Sequence, residues 1–116
     1  MSDKPETKLA KKIRTRLKNE FEGIFIQKIH GGPNQISGLL DFTIIWRGIA
    51  IWLEVKMPNN KKGLTKRQEK VIEDVRRAGG VACCVRSPTE AYNVIRKVEK
   101  NVNLGRHPCK GIPIEY

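Results

Sequence analysis

One hundred and sixteen residues allow one compact domain, 1–116, and 23 Lys+Arg against 12 Asp+Glu leave a net charge of +11. A surplus of that size points to an anionic partner and excludes acidic-tail and neutral-scaffold classes. The 39% hydrophobic residues are spread along the chain, which excludes wholesale disorder. The longest apolar stretch, Gly48 to Leu53, is flanked by Arg47 and Glu54 and is too short to span a membrane. The lysine-rich start shows no apolar secretory segment, so an intracellular location is expected. Cys83, Cys84 and Cys109 have neither the number nor the spacing of a disulfide framework or a zinc site.

Leu9, Ala10, Ile13 and Leu17 recur at helical spacing and predict an amphipathic helix over about 6–19, broken by Gly23. Residues 24–30 read as a short strand, and 31–38 as a surface loop dense in Gly, Pro and Asn. Two strand-like runs, 39–46 and 49–56, are separated only by Arg47-Gly48, the signature of a tight hairpin. If Trp46 faces Ile49, then Ile44 pairs with Ile51, Phe42 with Leu53 and Leu40 with Val55 on one apolar face. The other face carries Ile45 with Ala50, Thr43 with Trp52, Asp41 with Glu54 and Leu39 with Lys56. A slip of one residue would mix the faces, so the pattern itself selects this register.

Pro58 ends that strand, and a basic loop leads to a second helix from Thr65, with Val71, Ile72, Val75 and Ala78 as its apolar stripe. Gly79-Gly80 stops it, 81–86 reads as a buried strand, and Pro88 opens a last helix to about Lys100. The tail 101–116 has no clear period. The order is α/β, αβββαβ(α), with a small mixed sheet flanked by helices.

Asp41 and Glu54, directly opposed, would repel unless something compensates. A hard divalent cation between two carboxylates does so, and Lys56 on the same face could help orient a water and stabilise a phosphate, chemistry suited to phosphodiester hydrolysis. The plain alternative is an ion pair of Lys56 with either acid. Glu6 falls on the apolar stripe of the first helix at the end near Asp41, either as a third acid or as a first-turn partner of the helix dipole. Gln68 fits a capping box with Thr65, yet also faces the sheet and could reach a water or phosphate. Lys8, Lys11 and Lys12 on the first helix, and Lys61, Lys62, Lys66 and Arg67 around the second, are candidate contacts to backbone phosphates, unless they are merely solvated faces. The Ser37 hydroxyl is a further candidate phosphate contact.

Glu6 opening a helix, Gly38-Leu39-Leu40-Asp41, Glu54-Val55-Lys56, Leu64-Thr65-Lys66-Arg67-Gln68 and the strand after Gly79-Gly80 together resemble a virus-type replication-repair nuclease (VRR-NUC) domain of the PD-(D/E)xK superfamily. The resemblance covers about 6–98; Leu40 stands where the family usually has proline. It implies a restriction-endonuclease-like core in which Asp41, Glu54 and the Val55 carbonyl hold Mg²⁺ or Mn²⁺, with Glu6 completing the acidic set. It also implies that Lys56 serves the attacking water and Gln68 supports it. Bare domains of this size are similar to bacteriophage proteins and to Holliday junction resolvases. The expectation is therefore a metal-dependent endonuclease acting on branched double-stranded DNA as a homodimer, in a bacterial host's cytoplasm if of phage origin, with no membrane and no small-molecule cofactor. Symmetric incision of a four-way junction needs two sites related by a two-fold axis. The alternatives are a flap or nicking endonuclease of the same chemistry, and a non-catalytic basic DNA-binding protein.

Overall fold

The computed structural model describes residues 4–29 and 40–116; the expected loop 31–38, with Ser37, and its flanking residues His30 and Leu39 lie outside them. Helix α1 spans Pro5–Glu20, followed by strands β1 (Phe25–Lys28), β2 (Phe42–Trp46) and β3 (Ile49–Val55), helix α2 (Lys66–Arg77), strand β4 (Val81–Val85) and helix α3 (Pro88–Asn103). The sheet order is β1-β2-β3-β4, antiparallel through the first three strands and parallel between β3 and β4. That last pairing follows from the α2 crossover.

The hairpin adopts the register expected from its pattern, Phe42↔Leu53 through Trp46↔Ile49. Arg47 and Gly48 both take positive φ, 51° and 78°, the backbone of a type I′ turn whose twist matches the strands. The alternation then sorts the side chains. Ile26, Phe42, Ile44, Ile51, Leu53 and Val55 pack beneath α1 and α3 in one core, joined by Val81, Cys83 and Val85 of β4. On the other face α2 covers a smaller cluster of Ile72, Leu40 and Ala82, with Trp52 and Val75 at its margin.

Two expectations fail at the open end of the hairpin. The ladder stops at Phe42↔Leu53, so Asp41 and Glu54 are not strand partners, and Leu40 does not share a face with Val55 but joins the α2 cluster. One hydrogen bond explains both changes. The Val55 amide, which a continued ladder would direct at the Leu40 carbonyl, donates instead to Asp41 Oδ2 at 2.7 Å. The carboxylate takes the acceptor's place, and Leu40 turns to the opposite face.

The region after α3 is ordered without being periodic. Asn101, fully buried, donates to the carbonyls of Pro108 and Lys110, Cys109 and Ile112 enter the main core, and His107 bridges the Arg76 carbonyl and the Cys109 amide. Ile114 and Tyr116 then bond to Cys84, forming a short parallel bridge at Glu115 that covers the outer edge of β4. Arg86, just past β4, gathers this end of the molecule: its guanidinium donates to the carbonyls of Met57, Asn60 and Tyr116 and pairs with Glu115.

Candidate active site

The open end of the hairpin lies where α1 and α2 both begin. Glu54 is the last residue but one of β3 and points to the α2 side, where its buried side chain accepts from Gln68 Nε2 at 3.0 Å. The capping box at Thr65 is formed as well: Gln68 Oε1 accepts from the Thr65 amide at 3.0 Å while Thr65 Oγ1 accepts from the Gln68 amide at 3.1 Å. The capping box therefore holds, and the other end of the Gln68 amide, facing the sheet, donates to Glu54. Lys56 Nζ stands 3.6 Å from Glu54 Oε2, with both side chains largely shielded from water.

Asp41 meets this group from β2. Its Oδ2 accepts from the Val55 amide and its Oδ1 from Lys28 Nζ at 3.3 Å, while its backbone carbonyl accepts from the Ile29 amide at 2.7 Å. The Asp41 and Glu54 carboxyl groups are within hydrogen-bonding reach of each other. Burial, then the charge and hydrogen bond of Asp41, push the Glu54 carboxyl up to about 8 against the partial relief of Lys56. Two carboxylates, the ammonium groups of Lys28 and Lys56 and one amide thus share this site, and burial beside Asp41 favours the protonated form of Glu54.

A cavity of about 140 Å³ opens beside Asp41, lined by Lys4, Glu6, Thr7, Ala10, Lys28 and Val55. Glu6, exposed in the first turn of α1 rather than buried on its apolar stripe, lines this cavity. Among the described residues, however, no three acid, His or Cys side chains stand together as a ready metal cluster. The donor set that is present, two neighbouring carboxylates beside the strand end at Val55, is all hard oxygen and fits a divalent cation such as Mg²⁺ or Mn²⁺.

The candidate phosphate contacts are dispersed around this end. Lys61, Lys62, Lys66 and Arg67 are exposed between β3 and the first turn of α2, and Lys8, Lys11 and Lys12 are exposed on α1. Lys28 and Arg86 escaped sequence reasoning. Extending the β1–β2 register, in which Phe25↔Ile45 leads to Lys28↔Phe42, would have placed Lys28 next to Asp41. Arg86 carries no local signal, because all its acceptors come from distant segments.

No protein-family model matches the sequence, and no curated protein matches it. A solved structure described as a VRR_NUC domain superposes with a TM-score of 0.62 at 25% identity, covering 78% of this chain and 94% of that one. The three helices and the mixed four-stranded sheet agree with that likeness. The fold of this chain is that of a VRR-NUC domain.

Proposed function

We propose that this protein is a divalent-metal-dependent endonuclease that hydrolyses phosphodiester bonds in branched DNA, resolving four-way junctions as a homodimer. The observation that carries the reading is the Asp41–Glu54–Lys56–Gln68 group, a close pair of acids with a lysine and an amide at the end of a VRR-NUC-like sheet in a chain of net charge +11. Asp41, Glu54 and the Val55 carbonyl would hold Mg²⁺ or Mn²⁺, with Glu6 available from α1 across the cavity. The ion's contribution, once bound, is Lewis-acid polarisation of a phosphate oxygen and a lowered pKa for water.

The chain's own groups do the rest. Lys56 orients the attacking water and offsets the charge that builds on the phosphate. Gln68, anchored by its cap to α2, holds the Glu54 carboxylate in one orientation. Lys61, Lys62, Lys66 and Arg67 on one side and Lys8, Lys11 and Lys12 on the other contact backbone phosphates without reading sequence. Ser37 serves as a further phosphate contact. One such site cuts one strand, so paired cuts in a junction need a second copy.

The test is cleavage of a labelled four-way junction beside linear duplex, flap and single strand, each with Mg²⁺, Mn²⁺ or EDTA. Paired, symmetric, metal-dependent cuts in the junction are expected. Cleavage of every substrate would retain the nuclease and remove the junction preference, which is the result that favours a flap or nicking enzyme. Tight binding with no cleavage under either metal would overturn the catalytic reading.

A further inference from the structure

The cavity beside Asp41 does not end at the carboxylates. A second cavity of about 350 Å³, lined by Lys11, Arg14 and Phe42, shares Thr7, Ala10 and Lys28 with it, so the two form one groove between α1 and the β1–β2 edge of the sheet. Thr7, Lys11 and Arg14 recur at helical spacing and face this groove, whereas Arg16 turns away to lie 4.6 Å over the Tyr92 ring. The helix thus divides its cations between packing and the groove. Among the described residues the larger half is lined by three cations and no acid, and its one aromatic, Phe42, is buried to 1% exposure and offers no face for a base to stack on. A floor that is apolar and walls that are cationic match a phosphodiester backbone rather than unstacked bases.

Lys28 stands where the two halves meet. Its Nζ donates to Asp41 Oδ1 at 3.3 Å and to the Ile29 carbonyl at 3.2 Å, and lies 5.7 Å from the centre of the Phe42 ring. Both partners of the ion pair remain partly open to water, at 33% and 23% side-chain exposure, so the pair is exchangeable. A phosphate entering the groove competes with Asp41 for that ammonium, and a cation entering the carboxylate site competes with the ammonium for Asp41.

We infer that this groove seats the phosphodiester backbone of one DNA strand, and that Lys28 couples it to the carboxylate site as counter-ion of Asp41 in the free protein and phosphate ligand in the complex. The inference rests on the proposed nuclease reading for its choice of polyanion. Its consequence is reciprocal: DNA raises the affinity for a divalent cation, and the cation raises the affinity for DNA by the same factor.

The first arm of the test measures binding of a fluorescein-labelled four-way junction in EDTA across a range of KCl concentrations. Arg14→Glu and Lys28→Gln are compared with Lys110→Glu, which lies beside Asn101 at the far end of the sheet. Circular dichroism checks that each variant is folded. Arg14→Glu is expected to weaken binding at least ~10-fold and Lys28→Gln to lower the salt slope by about one, with Lys110→Glu nearly unchanged. Equal losses in all three would overturn the groove in favour of net charge alone.

The second arm titrates Mn²⁺ by calorimetry into the wild type and Lys28→Gln, with and without a cleavage-resistant phosphorothioate junction. Lys28→Gln is expected to bind Mn²⁺ at least ~5-fold more tightly than the wild type without DNA, and DNA to strengthen binding only in the wild type. Equal affinities without DNA would overturn the coupling. Neither arm needs cleavage, so a protein that cuts nothing would remove the nuclease reading while the EDTA arm still decides the groove.

Discussion

At the turn end of the β2–β3 hairpin, Glu99 of α3 accepts from Trp46 Nε1 at 3.0 Å and Arg96 Nη1 at 2.9 Å, with Arg47 Nη2 at 3.4 Å. At the open end, Glu54 faces a second carboxylate, with Lys56 and Gln68 as its donors. Both side chains are mostly buried, at 11% and 7% exposure, yet their protonation moves in opposite directions. Burial opposes the charge on Glu99, but the bonds from Trp46 and Arg96 and the charge of Arg47 outweigh it and hold its carboxyl below the usual range. Burial opposes the charge on Glu54 too, and Asp41 adds to it. The difference teaches which acid is structural. The fold gives Glu99 two arginines and an indole N–H, whereas Asp41 and Glu54 have one lysine each and stand beside one another.

The comparison breaks if the open end proves dispensable for activity. Asp41→Asn and Glu54→Gln are expected to cut metal-dependent DNA cleavage by ~10³-fold or more while junction binding in EDTA stays within a few-fold of wild type, as gel assays and anisotropy would show. Comparable cleavage by either variant would place the chemistry elsewhere.

Arg86 offers the largest expected effect on stability. Its removal orphans the Met57, Asn60 and Tyr116 carbonyls and the Glu115 carboxylate together, so Arg86→Ala should cost about 3 kcal/mol and lower Tm by roughly 10 °C. A change of less than a degree in a thermal melt would show that the Arg86 cluster ties nothing down.

The pH dependence sharpens the contrast between the two glutamates. Glu54 has a folded value raised from 4.5 to about 8, so its neutral form stabilises the metal-free protein fully below about 4.5, and that stability is lost as pH rises through about 8. Glu99 has a lowered value, so its contribution is present above the usual carboxylate range and lost as pH falls below it. Denaturation in EDTA should therefore show stability declining between about pH 5 and 8, with Glu54→Gln flattening that limb and Glu99→Gln flattening the acid limb instead. Added Mg²⁺ should raise Tm more at pH 8 than at pH 5, since the cation and the proton compete for the same pair. A melt that is flat over this window in the wild type would contradict the raised Glu54 value.

The smallest effect belongs to the turn end. Glu99→Gln keeps an acceptor for Trp46 and loses only the charge facing Arg47 and Arg96, so about 1 kcal/mol of stability and no cleavage activity should be lost, by urea denaturation and gel assay respectively. A loss of cleavage would show the two ends to be coupled.

What could be read in advance was whatever depends on residues close in sequence. The helices α1, α2 and α3 follow their apolar spacing and caps, and the hairpin register follows from period-two alternation across a two-residue turn, because a slip would expose a whole face. Those local patterns also brought Asp41, Glu54, Lys56 and Gln68 to one end of one sheet. The tertiary structure decided the remainder. Asp41 leaves the ladder because its own carboxylate outcompetes the Leu40 carbonyl for the Val55 amide, a choice between two acceptors that no periodicity encodes. Lys28 meets Asp41 through a β1–β2 register that follows a long connection, so no turn chemistry announces it. The segment 104–116 packs by single contacts, Cys109 and Ile112 in the core and Ile114 and Tyr116 on Cys84, and Arg86 binds three separate stretches of backbone. Contacts of that kind join residues far apart in the chain, and only the assembled sheet brings them within reach.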